Sequence, residues 1–531
     1  KKKRKTDRYS PGGRGGRRPD RATIVYCNMA RSLWKDVPII IGGIEASLRR
    51  FVHYDYWSDR LRKPILMDSK ADLLVWGMGE KTIIQIAQKL EKGVPISEIR
   101  DVRGTCYISK DLEKLEEFVE LPSWEEILQD KKAFAKAHLL VEHELDPLTG
   151  RTIVQKVVDR YLVQNPPQFP LTEKELDQIY ELPYTRKAHP GYDALGGVPA
   201  LEEVQFSITA HRGCFGSCSF CALSAHQGKI IQKRSDKSII EEAKKLTQME
   251  NFKGYIHDVG GPTANFHEKA CKLQERGTFC KDRQCTWPSC CPNLRKTNNS
   301  YMKLLRKIRS LPGIKKVFVR SGIRYDYIMA ENNIAFLKEL CEHHVSGQLK
   351  VAPEHCSKRV LDLMRKPPKE VFLKFKKMYE EVNRSLGKKQ FLVPYLISSH
   401  PGSTLEDAIE LAEFLRDIHY HPEQVQDFIP TPGTLSTCMY YSEINPHTGE
   451  KIFVAKTAKE KAMQRALLQW RNPKNHKLVK EALTRTGRLD LIGTGKKCLI
   501  KESAPNPLWK KKFSKNGLKT KNAKGKPRRK G

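Results

Sequence analysis

Hydrophobic and polar positions along the middle of this 531-residue chain follow two alternating periods. Short apolar runs, which predict buried strands, are followed by segments whose apolar residues recur every three or four positions, which predicts amphipathic helices. The predicted strands are 204–209, 254–259, 316–321, 348–352, 390–398 and 424–429, and the predicted helices are 237–249, 300–310, 331–342, 357–364, 403–417 and a less regular one after the sixth strand. Six strand–helix repeats predict an α/β fold, a partial (β/α)6 TIM-like barrel that is open on one side.

The region before this barrel predicts a smaller α/β unit at 22–100. Two apolar runs end in closely spaced glycines, VPIIIGGIEAS from Val37 and ADLLVWGMGE at 71–80, and a helix pattern follows at 81–90. This order is Rossmann-like but incomplete, because a doubly wound domain needs more than two strands. Since the chain begins at Lys1 with a basic segment, we expect an N-terminal part of this domain to be missing.

The remaining segments complete the predicted domain organisation. A linking region is expected at 101–195, with a hairpin near 102–108 and an amphipathic helix at 124–144. The other expected segments are a disordered basic segment at 1–21, a barrel core at 196–440 with a cysteine-rich insertion at 265–295, a helical extension at 441–500 and a disordered basic tail at 501–531.

The formal charge of +35 is concentrated at the two ends, where residues 1–21 carry +8 and residues 501–531 carry +11. Both segments are poor in apolar residues, which predicts solvated, disordered tails. The alternative is a non-specific contact with RNA or another polyanion, supported by Trp509 and Phe513 among the lysines. No apolar run is long enough for a membrane span and no secretory signal is recognisable, so we expect a cytoplasmic protein without a membrane partner.

The most specific chemical motif is AHRGCFGSCSFCALS, which places Cys214, Cys218 and Cys221 on a loop after the first barrel strand. Three thiolates can hold three irons of a cubane iron–sulfur cluster and leave the fourth iron open to an outside ligand. If that ligand is S-adenosylmethionine, one-electron reduction can cleave its sulfonium and release a carbon radical. The alternatives are a zinc site completed by His211 or His226, or a disulfide pair.

The other predicted strand ends carry further candidates at the same face of the barrel. A glycine pair permits close approach of a ligand, polar side chains could meet its amino, carboxylate or ribose groups, and an aromatic ring could pack on adenine. A glycine pair is more often only a turn, and a buried glutamate more often an ion-pair partner. The candidates are Gly260, Gly261, Pro262, Thr263, Ser321, Arg324, Glu354, His400 and Phe428.

A second group of cysteines follows the second strand, in CKLQERGTFCKDRQCTWPSCCPNL. Its spacing fits no standard zinc finger, but four thiolates could close a zinc site or hold an auxiliary iron–sulfur cluster. Reduced thiols without metal are the alternative. The residues of this possible second site are Cys271, Cys280, Cys285, Cys290 and Cys291.

Taken together, these motifs resemble the YgiQ-type radical S-adenosylmethionine proteins. The resemblance covers residues 18–500 and includes HRGCFGSCSFC, GGPTAN, SGIRYD, KVAPEH, ISSHPGST and WKDVPIIIGGIEASLRR. It implies a cobalamin-domain-like N-terminal region, a radical core with Cys214, Cys218 and Cys221 as ligands of a [4Fe–4S] cluster, S-adenosylmethionine as cofactor and a one-electron donor of the flavodoxin or ferredoxin type. No D-x-H-x-x-G motif is present, so we predict that no cobalamin binds.

The sequence therefore predicts a radical enzyme acting on an unknown substrate, most simply at a C–H bond that resists polar chemistry. A methylthiotransferase-like modification of RNA or protein is the alternative among enzymes. The alternative of another class is a non-catalytic iron–sulfur or zinc protein that binds nucleic acid through its basic ends.

Overall fold

The computed structural model describes residues 5–501, and its N-terminal part contains a mixed sheet of six strands within that range. The order across this sheet is β1-β4-β5-β8-β7-β6, with β2 and β3 forming a separate antiparallel hairpin. The strands are β1 (Ile40–Ile41), β2 (His53–Asp55), β3 (Arg60–Arg62), β4 (Leu73–Val75), β5 (Thr105–Ser109), β6 (Val119–Leu121), β7 (Ile153–Val157) and β8 (Arg160–Gln164).

The two strands of the Rossmann-like prediction, β1 and β4, are parallel neighbours. The sheet then continues differently, since β5 pairs antiparallel with β4 and with β8. The expected hairpin at 102–108 is therefore wrong. Residues 105–164 extend the sheet, and apolar side chains such as Cys106, Ile153 and Leu162 are buried in one core with Ile41 and Leu74.

The helices of this part are α1 (Ala22–Leu33), α2 (Gly43–Leu48), α3 (Ile65–Ser69), α4 (Glu80–Glu91), α5 (Trp124–Gln129), α6 (Lys131–His143) and α7 (Glu173–Glu181). The single helix expected at 124–144 is two helices, because Asp130 leaves helical geometry and its carboxylate accepts a hydrogen bond from the Lys132 N–H at 2.8 Å. Residues 5–21, expected to be disordered, are held by the Asp7 carboxylate, which accepts hydrogen bonds from Ser10 and Arg18.

The strand segments of the barrel region are β9 (Ser207–Thr209), β10 (His211–Arg212), β11 (Gln232–Lys233), β12 (Tyr255–Ile256), β13 (Asp258–Gly260), β14 (Lys316–Val317), β15 (Gln348–Glu354), β16 (Phe391–Ser398) and β17 (Gln426–Asp427). β10 and β11 form a separate antiparallel pair. β13 is parallel to β9, β12 to β14, β15 to β16 and β16 to β17. A parallel bridge between Ile323 and Val351 joins the third strand to the fourth. This succession confirms the predicted open (β/α)6 arrangement.

The remaining helices are α8 (Leu201–Val204), α9 (Ala222–Gln227), α10 (Asp236–Thr247), α11 (Lys272–Glu275), α12 (Asn299–Arg309), α13 (Tyr325–Glu331), α14 (Ala335–Glu339), α15 (Lys358–Met364), α16 (Lys369–Ser385), α17 (Leu405–Asp417), α18 (Leu435–Ser442), α19 (Ala458–Leu468) and α20 (His476–Arg485). Amphipathic helices such as α12 bury one face, with Tyr301, Leu304, Leu305 and Ile308 against the strands. This spacing of apolar residues is the reason that the helix forms there.

Three barrel elements differ from the prediction. Val204 lies in α8, so the first strand begins later, at Ser207. The helix expected at 331–342 is interrupted at Asn332, which adopts φ +51°. α16 was not predicted, although its buried Phe372, Phe375, Tyr379 and Val382 recur with a helical period.

The segment predicted as a C-terminal extension contains α19 and α20, which share a buried core with α17. Most of the basic tail predicted at 501–531, and residues 1–4, lie outside the described residues, as do Trp509 and Phe513. No helix within residues 5–501 is both long and apolar enough to cross a membrane.

Candidate functional site

The loop that carries Cys214, Cys218 and Cys221 lies between β10 and α9, at the carboxyl end of the first barrel strand. The Cys214 N–H donates to the Gly228 carbonyl at 3.1 Å, and the Cys221 N–H donates to the Cys218 carbonyl at 3.1 Å. Gly213 enters the loop with φ +85°, and a Cβ there would lie 2.1 Å from the Ile230 carbonyl oxygen. Only glycine therefore permits this start of the loop.

The three thiols lie close enough to affect each other electrostatically. Burial, followed by the neighbouring Cys218 thiol, raises the pKa of Cys214 above its ordinary value, and the same two causes raise the pKa of Cys221 to about 12. Burial disfavours thiolates, and a nearby cation reverses that preference. Three neighbouring thiols whose ionised forms require a nearby positive charge are suitable ligands for the irons of an iron–sulfur cluster.

Arg324 and Thr263 contact two of these thiols directly. The Arg324 Nη1 donates to the Cys218 Sγ at 3.8 Å, and the Thr263 hydroxyl lies 3.7 Å from the Cys214 Sγ. Hydrogen bonds to ligating sulfur are one way that a protein tunes a cluster. Both residues were predicted as cofactor contacts, and the structure places them beside the cysteine sulfurs.

The Arg324 guanidinium is buried but fully paired. It forms a two-point ion pair with the Asp326 carboxylate, at 2.8 and 2.5 Å, and donates to the Thr286 hydroxyl at 2.7 Å. Burial alone would lower the pKa of Arg324, but Asp326 raises it above its ordinary value, so the cation is stable. Asn265 fixes the Arg324 backbone by accepting its N–H at 2.9 Å.

His400 and Phe428 pack against the residues that support the cysteine loop, and their role as cofactor contacts stays a prediction. The His400 Nε2 lies 2.7 Å from the Ser436 hydroxyl, which lies 2.8 Å from the hydroxyl of Ser219 in the loop. Phe428 packs on the His400 ring, with 5.2 Å between centroids. Both side chains are buried, and burial lowers the pKa of His400 to about 3.

The glycine pair after the second strand is explained by close packing. A Cβ on Gly260 would lie 2.4 Å from the Ser321 hydroxyl oxygen, and a Cβ on Gly261 would lie 2.6 Å from the His211 carbonyl oxygen. Ser321 in turn donates its backbone N–H to Asp258 at 3.0 Å. Pro262, which follows, is half-buried. These contacts tie the ends of the first three strands together beside the thiols.

Glu354 is the exception among the strand-end candidates, because its carboxylate makes no hydrogen bond to any residue in the described range 5–501. It sits at an irregularity in the β15–β16 pairing with φ +69°. Burial raises its pKa above the ordinary value, while Lys366 and Arg324 act in the opposite direction. Its charge is felt by Cys221, so an acidic acceptor lies near the cysteine loop.

The second cysteine group packs on the first loop through aromatic rings. Phe215 stacks on Phe266 with 3.6 Å between centroids, and Cys285, Cys290 and Cys291 lie around this pair. Burial, followed by the Cys271 thiol, raises the pKa of Cys285 to about 12, and Cys280 and Cys291 contribute. Cys290 instead lies near Asp326.

Within residues 5–501, no three His, Cys, Asp or Glu side chains are arranged to hold a single metal ion. A four-iron cage spans more widely spaced ligands than one ion does. A metal at the second group stays a prediction.

A cavity between the N-terminal sheet and the cysteine loop was missed by the sequence analysis. Cys218 and Cys221 line one side, and residues of α2, β2 and α6 line the other. Its charged and polar residues include Arg50, His53, His138, Glu142, Lys229 and Arg365. The only available signal was the dense charged and aromatic run SLRRFVHYDYW, which contains the first two of these.

Three family models match this chain. Residues 208–415 match the Radical SAM superfamily domain, residues 1–207 the radical SAM N-terminal domain, and residues 423–530 a domain of unknown function, DUF3362. The protein is therefore a radical S-adenosylmethionine enzyme, a class that binds a [4Fe–4S] cluster and S-adenosylmethionine and uses a one-electron donor. The non-catalytic alternative is not supported.

Relatives at high identity make the assignment more specific. A UPF0313 protein of Clostridium botulinum (strain ATCC 19397 / Type A) is 58% identical over 505 residues, covering 95% of this chain and 78% of the relative. One of Clostridium perfringens (strain SM101 / Type A) is 55% identical over 503 residues, covering 94% of this chain and 76% of the relative. The chain belongs to the UPF0313 family, which is the YgiQ family of the predicted resemblance.

Solved structures resemble this chain more distantly. The methyltransferase TsrM from Kitasatospora setae, with cobalamin and a [4Fe–4S] cluster bound, has a TM-score of 0.43 at 11% identity and covers 91% of this chain and 87% of its own. The enzyme OxsB with aqua-cobalamin bound has a TM-score of 0.42 at 11% identity, covering 87% and 51%. These values are too low to carry a functional argument, and the absence of cobalamin from this protein stays a prediction.

Proposed function

We propose that Cys214, Cys218 and Cys221 ligate the [4Fe–4S] cluster of this enzyme and that the barrel mouth beside them binds S-adenosylmethionine. When bound, the cluster supplies the electron that cleaves S-adenosylmethionine to methionine and a 5′-deoxyadenosyl radical, which then acts on the substrate. The observation that carries the proposal is the convergence of three thiols at the carboxyl end of the barrel strands, with Arg324 donating to one of them.

The residues around the three cysteines have different roles in this proposal. Arg324 and Thr263 stabilise negative charge on the Cys218 and Cys214 sulfurs by hydrogen bonding. Gly260 and Gly261 keep the strand end close-packed beside the thiols, which positions Thr263. His400, Ser436 and Ser219 hold the loop from behind.

Glu354 is the candidate for the ammonium group of S-adenosylmethionine. A buried carboxylate without a hydrogen-bond donor among the described residues is unfavourable, and an ammonium ligand would restore its ionised form. Its proximity to Cys221 supports a position beside the bound cofactor.

Anaerobic reconstitution with iron and sulfide tests the ligand assignment. Cys218→Ala is expected to lose cluster iron and, with dithionite and S-adenosylmethionine, to form 5′-deoxyadenosine only at background. Cys341→Ala is the matched control, because that thiol is buried, does not line the cavity beside the cysteine loop and is not one of the proposed ligands. Wild-type levels of 5′-deoxyadenosine from Cys218→Ala would contradict the proposal.

A further inference from the structure

The cavity between the N-terminal sheet and the cysteine loop contains a cation without a matching anion. Arg50, at the end of α2, is 4% exposed and lines this cavity. Its guanidinium forms no ion pair with any carboxylate within residues 5–501. Its Nε donates to the Gln164 side-chain oxygen and its Nη1 to the Ser47 carbonyl, both at 2.5 Å, which leaves Nη2 without an acceptor in that range.

This arrangement is unusual because burying an unpaired charge is costly. The Trp76 ring, 4.5 Å from the Arg50 guanidinium carbon, compensates only in part. The other buried arginines beside the barrel have carboxylate partners, as Arg324 has Asp326 and Arg234 has Glu242. A buried guanidinium with a free edge facing a cavity is a binding group for an anion.

Two further polar atoms on the cavity wall lack partners. The His53 Nε2 and the Ser217 hydroxyl are both buried, with side chains only 4% and 5% exposed, and neither has a hydrogen-bond partner within the described part of the chain. The His53 Nδ1 lies 3.0 Å from the Phe51 carbonyl, so it donates there and leaves Nε2 as an acceptor. Ser217 directly precedes Cys218. These atoms can satisfy polar groups of a bound molecule.

The net charge of the cavity also favours an anion. Arg365 pairs with Glu142, at 2.6 Å between Nη1 and Oε1, and the Lys229 Nζ lies 4.0 Å from the same carboxylate. The cavity is thus lined by three cations, Arg50, Arg365 and Lys229. It is lined by a single carboxylate among the described residues, that of Glu142. The rest of the wall includes aromatic rings of Phe51, Tyr54 and Phe134.

We propose that this cavity binds the substrate of the radical reaction, and that the substrate is an organic anion whose carboxylate or phosphate group pairs with Arg50. This inference rests on the proposed function, because it places the substrate beside Cys218 and Cys221. Ser217 and His53 contribute hydrogen bonds, and the aromatic wall packs against the uncharged part of the molecule.

Inorganic phosphate is the probe for this site. The melting temperature of the reconstituted full chain is measured with and without phosphate, with ionic strength held constant by chloride. Binding to the folded state alone raises the melting temperature, and we expect a rise of at least about 2 °C. Arg50→Met is expected to abolish the shift, while Arg306→Met, on the outer helix α12, retains it. No shift for the wild type, or an equal shift in Arg50→Met, would overturn the proposal.

Two additional variants keep the test valid if Arg50→Met fails to fold. Arg50→Lys keeps the charge but loses the planar fork, and Ser217→Ala removes a hydroxyl that bonds nothing in residues 5–501. Each is expected to reduce the phosphate shift while retaining cluster iron. If both leave the shift at its wild-type size, the assignment of the anion to this cavity is wrong.

The carboxylate of S-adenosylmethionine is the competing source of the anion. Equilibrium binding of S-adenosylmethionine to the wild type and to the Arg50 variants separates the two. We expect the affinities to agree within about twofold, whereas a parallel loss of S-adenosylmethionine binding and of the phosphate shift would assign Arg50 to the cofactor. The phosphate shift is measured without S-adenosylmethionine, so failure to form 5′-deoxyadenosine would count against the proposed function alone.

Discussion

The two sides of the cysteine loop differ in how completely their polar groups are paired. On the barrel side, Arg324 is paired with Asp326, and the Ser219 hydroxyl, which also lines the cavity, is bonded to Ser436 and through it to His400. On the side of the N-terminal sheet, Arg50 has no carboxylate within the described residues, and the wall atoms of His53 and Ser217 have no partners there. Both sides are buried, so solvent does not explain the difference.

This difference indicates which side holds the loop and which side receives a ligand. A paired, buried network fixes the positions of the groups that it contains. Unpaired buried groups destabilise the folded chain unless a ligand satisfies them. The barrel side is therefore expected to respond to substitution with a loss of stability, and the sheet side with a loss of binding.

The largest expected effect on stability comes from Asp326→Asn. This change leaves the buried Arg324 guanidinium without its counter-ion, and breaking a buried pair in this way costs about 3–5 kcal/mol. We expect a decrease of that size in the free energy of unfolding, measured by urea denaturation of the reconstituted protein, and a lower iron content. Asp490→Asn is the control, since its pair with Arg488 is exposed to solvent and contributes little to stability. Equal decreases in the free energy of unfolding for the two variants would contradict the conclusion that the paired groups on the barrel side stabilise the fold.

The barrel and its cysteine loop were predictable from sequence because they depend on local patterns. Short apolar runs, the C-x3-C-x2-C spacing and the order of strand ends are all contiguous in the chain. Helix α16 was also encoded locally, by Phe372, Phe375 and Tyr379, but the preceding Lys366–Pro368 segment breaks the pattern. The N-terminal sheet was not predictable in this way, because β8 inserts between β5 and β7.

The cavity could not be predicted because its groups meet only through tertiary structure. Arg50 reaches Gln164, 114 residues away in the chain, and Ser219 reaches Ser436, 217 residues away. His400 was correctly placed after a strand, yet the fold turns it behind the loop. Sequence position therefore gives the barrel end on which a residue lies, while packing decides which way its side chain faces.

The next smaller effect is expected for His400→Leu. The change removes a ring that is hydrogen-bonded to Ser436, which costs about 1–3 kcal/mol at pH 7.5. Burial lowers the pKa of His400 from its ordinary value of 6.5 to about 3. Between these two values the unfolded chain binds a proton that the folded chain does not, so the wild type loses stability as the pH falls below 6.5.

The His400→Leu variant lacks this histidine, so it does not lose stability in this way as the pH falls. The free energies of unfolding of wild type and His400→Leu, measured by urea denaturation, are therefore expected to converge as the pH is lowered from 7.5 to 5. A difference between the two proteins that is constant over this range would show that His400 titrates in the folded chain as it does in the unfolded chain.

The smallest expected effect compares two serines of the same loop. Ser219 bonds Ser436 at 2.8 Å, whereas the Ser217 hydroxyl has no partner within residues 5–501. Removing a satisfied buried hydroxyl costs about 1 kcal/mol because its partner is left unpaired, while removing an unsatisfied one costs nearly nothing. Ser219→Ala is thus expected to be about 1 kcal/mol less stable than Ser217→Ala in urea denaturation. Because both residues flank Cys218, line the cavity and lose the same atom, the reverse order would show that the Ser219–Ser436 bond does not support the loop.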